Sequence, residues 1–132
     1  MRINFVREIV QASYGSWMFT LFTEIGVRNP TLSFAQRKDA FFTLVTELLA
    51  QGKIKFIAPG ADCYVSPATP HPRLTIHDAD AHWKASPQEI VSYLLAMWPD
   101  AVTDDEDEAL LIYFYRIPGV IWVSASGDYV SG

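Results

Sequence analysis

A chain of 132 residues is close to the commonest size of a single domain, and 50% hydrophobic residues with four tryptophans exclude a disordered tail. One cysteine, Cys63, excludes an intramolecular disulfide and suits a reducing compartment. A net charge of −5 sets the chain against nonspecific binding of nucleic acid or anionic membrane, and favours either a basic partner or plain solubility.

Ile3, Phe5, Val6, Ile9 and Val10 recur at the spacing of an amphipathic helix over residues 3–11. Arg2, Arg7 and Glu8 interrupt the apolar stretch a secretory leader needs, and no apolar run reaches the roughly 18 residues of a spanning helix. The expected location is therefore cytoplasmic. After Ser13-Tyr14-Gly15, Ser16 is placed to cap a second helix through Trp17, Phe19, Leu21, Phe22 and Ile25, with Gly26 as its stop and Asn29-Pro30 as the exit. Ser33 and Gln36 form a capping box for a third helix, whose Phe34, Phe41, Phe42, Val45, Leu48 and Leu49 keep helical spacing up to Gly52. Lys53 to Ile57 alternates as a strand does, and Pro59-Gly60 ends it.

Pro67, Pro70 and Pro72 rule out a helix between residues 61 and 85 and predict extended loop, with a short strand over Arg73–His77 and Trp83 plugged into the core. Ser86-Pro87-Gln88-Glu89 starts a fourth helix, which runs through Ile90, Val91, Leu94 and Trp98 to Pro99. The acidic run Asp104-Asp105-Glu106-Asp107-Glu108 follows. Leu110 to Tyr115 and Val120 to Val123 read as two strands broken by Pro118-Gly119, and Ser126-Gly127-Asp128 turns into Tyr129-Val130. The resulting expectation is one α+β domain over residues 1–132, with about four helices packed on a small antiparallel sheet.

Several of these blocks, in this order, resemble a bacterial family catalogued as a domain of unknown function and numbered 596. They are Ser33-Phe34-Ala35-Gln36-Arg37-Lys38, Gln51-Gly52-Lys53-Ile54-Lys55, Trp83 ahead of Ser86-Pro87-Gln88-Glu89-Ile90, Trp98-Pro99, and Tyr113-Phe114-Tyr115 with Ile117-Pro118 and Ile121-Trp122-Val123. The likeness covers most of the chain from Trp17 onward, and the Pro67–Pro72 stretch departs from the family's pattern. The resemblance implies a small bacterial cytoplasmic protein, of a type that often neutralises secreted toxins such as those of contact-dependent inhibition systems.

The acidic run has two readings. One is a landing surface for a cationic, nuclease-like toxin domain, with Asp104, Asp105, Glu106, Asp107 and Glu108 steering the encounter and Tyr113, Tyr115 and Trp122 anchoring the complex. The other is a solvated loop ahead of a strand. A calcium loop is disfavoured, since the run lacks the glycine and the spaced terminal glutamate. On a strand, Phe114 would face one side and Tyr113 and Tyr115 the other.

His71, His77, Asp78, Asp80 and His82 could serve a small metal-dependent hydrolase, although neither H-E-x-x-H nor C-x-x-C spacing is present. Cys63 beside a histidine could be a nucleophile, yet the neighbouring Asp62 opposes its ionisation. Ser124, Ser126 and Ser131 fit turn chemistry and no nucleophile elbow. The expectation is a non-enzymatic protein-binding module with no cofactor and no bound metal. An oligomeric structural subunit is a further alternative.

Overall fold

The computed structural model describes residues 3–132; Arg2, used above against a leader, lies outside them. Five helices and a three-stranded antiparallel sheet form an α+β fold. The helices are α1 (Val6–Ser13), α2 (Met18–Arg28), α3 (Phe34–Ala50), α4 (Pro87–Ala96) and α5 (Glu108–Arg116). The strands are β1 (Ile54–Phe56), β2 (Val120–Val123) and β3 (Tyr129–Ser131), in that spatial order.

The anchoring signals of α3 behave as their chemistry requires. Ser33 Oγ accepts the Gln36 N–H at 3.1 Å, and the Gln36 side chain accepts the Ser33 N–H at 2.9 Å. Gly52 ends the helix with φ +70°, a left-handed conformation that a side chain would strain. Ser86 caps α4 by accepting the Glu89 N–H at 3.1 Å, with Pro87 in the first turn.

Three local expectations are corrected. Ser16 does not cap α2, which starts one residue later with Trp17 in the cap position and no side-chain hydrogen bond. Gly26 does not stop α2; the helix continues to Arg28 and ends at Asn29, whose buried side chain donates to Ile25 O and to Asn4 O. Arg73–His77 is not a strand, because Asp78 draws the Thr75 N–H (2.7 Å) into a turn ahead of a 3-10 turn at Ala79–Ala81.

The largest correction concerns residues 108–116, which are helix α5 and not a strand. Asp107 caps it by accepting the Ala109 N–H at 2.9 Å. Leu110, Tyr113, Phe114 and Ile117 then share one buried face at helical spacing. A strand would have buried alternate residues and left half of this set in water. That fifth helix accounts for the difference from the expected four.

The core lies between α2, α3, α4, α5 and one face of the sheet. Aromatic rings tie it together: Phe22 meets Phe41 at 5.8 Å, Phe41 meets Phe114 at 5.7 Å, and Trp98 meets Tyr113 at 5.0 Å between centroids. Ile54, Phe56, Val120 and Trp122 bring the sheet to this core. Trp83 packs against it edge-on to Tyr93, as expected of a plug.

The opposite face of the sheet presents Lys55, Ile121, Val123 and Tyr129, by the strand register. Ile121 is nevertheless fully buried. The segment that follows the prolines, residues 73–83, turns back onto this face: the His82 ring stands edge-on to Tyr129 at 4.7 Å, and His77 lies 6.3 Å from the same ring. Backbone bonds from Ala58 N to Ala81 O (2.8 Å) and from Trp83 N to Phe56 O (2.9 Å) fasten the segment along β1, so that edge is covered.

Candidate functional site

The structure divides the acidic run between two tasks. Asp105 accepts from both terminal nitrogens of Arg37, with Nη1 at 2.7 Å from Oδ2 and Nη2 on Oδ1. Asp107 is the cap of α5. These two carboxylates are partly buried and hold the segment in place. Asp104, Glu106 and Glu108 are exposed. Asp104 Oδ1 also accepts the Glu106 N–H at 2.9 Å, which tightens the turn between them. Negative groups at the N-terminal end of α5 also suit its dipole.

Helix geometry then decides what accompanies these charges. Glu108, Leu111, Ile112 and Tyr115 are related by steps of three and four, so they form one stripe on the solvent side of α5. Leu111 is 38% exposed, Ile112 41% and Tyr115 79%. Tyr115 leans on Trp17 with 5.1 Å between ring centroids, so the aromatic surface continues onto the start of α2. Carboxylates and an apolar stripe therefore lie side by side.

Of the three expected anchors, only Tyr115 is on this surface. Tyr113 is buried and donates its hydroxyl to Leu94 O at 2.8 Å; burial pushes its pKa well above the usual tyrosine range. Trp122 is buried and donates its indole N–H to Ser16 O at 2.7 Å. Both correct the sequence expectation, for two reasons: on a helix Tyr113 and Tyr115 do not share a face, and Trp122 lies on the core side of β2. Leu111 and Ile112, which no sequence argument singled out, are exposed on this surface instead.

The histidine–aspartate segment builds scaffold. His82 Nε2 lies 2.6 Å from Ile76 O, so its N–H donates there. Asp62 accepts the Arg73 N–H and Asp78 the Thr75 N–H. His71 and His77 are exposed. Among the described residues, no three histidine, cysteine or acidic side chains converge on a point that could hold an ion. Burial, with Asp78 and Asp62 adding to it, pushes the Cys63 thiol above its ordinary pKa, the opposite of what a thiolate nucleophile needs. Ser124, Ser126 and Asp128 bond to one another around Gly127, a closed turn.

A groove of about 500 Å³ opens beside the α5 stripe, between α2, α4, the end of α5 and the Pro118-Gly119 bend. Trp17, Tyr64, Tyr93 and Tyr115 supply its aromatic walls, and Arg116 is its one charged side chain among the described residues. Tyr64 closes one end by accepting the Gly119 N–H at 2.8 Å. Comparison with family models, with curated proteins and with solved structures returned no match.

Proposed function

We propose that this chain is a protein-binding module of the immunity type: a cytoplasmic bacterial protein that neutralises a cationic, nuclease-like toxin domain by covering it. Membership of the family numbered 596, and a role beside a contact-dependent inhibition toxin, belong to the same reading. The module acts by occlusion and charge complementarity and breaks no bond.

The observation that supports it most is the continuous stripe on α5. Asp104, Glu106 and Glu108 stand exposed at one end of an apolar face made by Leu111, Ile112 and Tyr115. A toxin that grips phosphate is basic, and a surface of opposite sign raises the association rate by roughly 10- to 1000-fold at low salt. An adjoining aromatic and aliphatic patch can then be desolvated, which is where interface energy concentrates. Asp105 and Asp107, held inside the fold, keep the turn in shape so that little ordering remains to be done on binding.

The test is a mixing experiment with the toxin domain encoded beside this chain, followed by calorimetry over a range of salt. Wild type binds and inhibits, with affinity that falls as salt rises. The variant carrying Asp104→Ser, Glu106→Ser and Glu108→Ser binds at least about tenfold more weakly with a flatter salt slope. Unchanged affinity and slope exclude this surface. A shift to a stable dimer on light scattering, with α5 buried in it, would assign the stripe to a second copy instead.

A further inference from the structure

The groove next to this stripe differs from it in sign. The chain has 15 acidic residues against 10 basic ones, and acids flank the start of α5. Yet among the described residues no Asp or Glu side chain lines the groove, while Arg116 does. Arg116 makes no ion pair among the described residues, where Arg28 pairs with Glu24 and Arg37 with Asp105. An unpaired guanidinium at the rim of aromatic walls is a recognition element for a planar anion, since its forked donors match a carboxylate.

A second donor points to the same ligand chemistry. Tyr64 uses an oxygen lone pair to accept the Gly119 N–H, and among the described residues nothing accepts its own hydroxyl proton. Burial raises the Tyr64 pKa, so that proton stays in place at neutral pH. The hydroxyl is thus oriented by its backbone contact and left with a hydrogen to give. The cavity volume of about 500 Å³ falls in the range of small-molecule sites, and such sites combine apolar walls with a few placed polar groups.

We propose that this groove is a binding site for a small aromatic carboxylate. The ring of the ligand lies among Trp17, Tyr93 and Tyr115, and its carboxylate accepts from Arg116 and from the Tyr64 hydroxyl. Ring-on-ring packing supplies most of the affinity, and the guanidinium supplies the preference for an anion. The site adjoins the partner surface on α5 and shares Trp17 and Tyr115 with it, but its anion-binding donors, Arg116 and Tyr64, lie outside the stripe.

The experiment measures binding of 1-naphthoate and of its neutral analogue naphthalene-1-methanol, by calorimetry and by quenching of tryptophan emission. The expected result is one naphthoate per chain, bound about tenfold more tightly than the alcohol. Arg116→Gln removes that preference and leaves alcohol binding unchanged; Arg116→Lys retains part of it; Tyr64→Phe weakens naphthoate several-fold. Melting curves confirm that each variant is folded. The triple serine variant on the acidic turn keeps the preference, which separates this site from the proposed partner surface. Equal binding of acid and alcohol by wild type, a preference that survives Arg116→Gln, or no saturable naphthoate binding at millimolar concentration would each overturn the proposal.

Discussion

Arg37 clasps the carboxylate of Asp105 with both of its terminal nitrogens, and it can do so because its stem crosses α2 at a residue with no side chain. That residue is Gly26. A Cβ there would stand 2.8 Å from Arg37 Cδ and closer still to the guanidinium. On its way Arg37 also lies over the Phe22 ring, 4.6 Å from its centroid. The acidic turn is therefore fastened to α2 and α3 by one side chain with a reserved path.

This arrangement predicts a reversal of sign. Alanine in a helix interior is ordinarily better than glycine by about 1 kcal/mol. Gly26→Ala in the wild-type background instead destabilises, since Arg37 must leave its seat. In an Arg37→Ala background, where the path is empty, the same Gly26→Ala change stabilises by about 1 kcal/mol. Denaturant unfolding of the four proteins gives the cycle. Gly26→Ala stabilising in both backgrounds would show that Arg37 repacks freely.

Phe5 precedes α1 with φ +63°, the one positive φ at a non-glycine position among the described residues, and it is 57% exposed. A bulky residue there is strained by about 1 kcal/mol, and its side chain offers α1 no cap. Phe5→Asn tolerates the left-handed conformation and adds a capping oxygen. It is expected to raise stability by roughly 0.5–1 kcal/mol in thermal unfolding. A lower melting temperature would mean that the buried part of the Phe5 ring outweighs both gains.

Tyr113 contributes, with Cys63 and Tyr64, to a loss of stability at alkaline pH. Burial raises its pKa above the ordinary 10.0, so the folded chain holds the hydroxyl proton more tightly than the unfolded chain does. Above pH 10 the unfolded state sheds that proton first, and stability falls as pH rises toward the folded value; below the unfolded pKa the contribution is complete. Tyr113→Phe loses the bond to Leu94 O, at a cost of about 1 kcal/mol, and it removes much of the downward slope above pH 10. Urea midpoints between pH 8 and about 11 measure the difference in slope, and parallel curves would contradict it.

How much of this was legible in the sequence follows from how local each signal is. The capping box at Ser33, the N-cap at Ser86 and the terminal Gly52 act over three or four residues, and each is where its spacing placed it, although Ser86 forms only the forward half of its expected box. The stretch Leu110–Tyr115 is rich in residues that also favour strands, so composition pointed the wrong way. The informative signals were the cap at Asp107 and the spacing of Leu110, Tyr113, Phe114 and Ile117. Gly26 reads as a stop because nothing nearby in sequence announces that Arg37 needs the space. The groove is assembled from segments as far apart as Trp17 and Gly119, and no single stretch carries its signature. Tyr115 is exposed, as its expected role requires, but Leu111 and Ile112 became visible only once the helix set which side chains share a face.

The most direct test of the central claim is hydrogen exchange of this chain, free and bound to a cationic toxin domain of the kind proposed above as its partner. Binding through the α5 stripe predicts added protection over residues 104–116 and at Trp17, with the proline-rich segment at 67–72 unchanged. Protection confined to the proline-rich segment or to β3, with residues 104–116 exchanging as in the free chain, would contradict it.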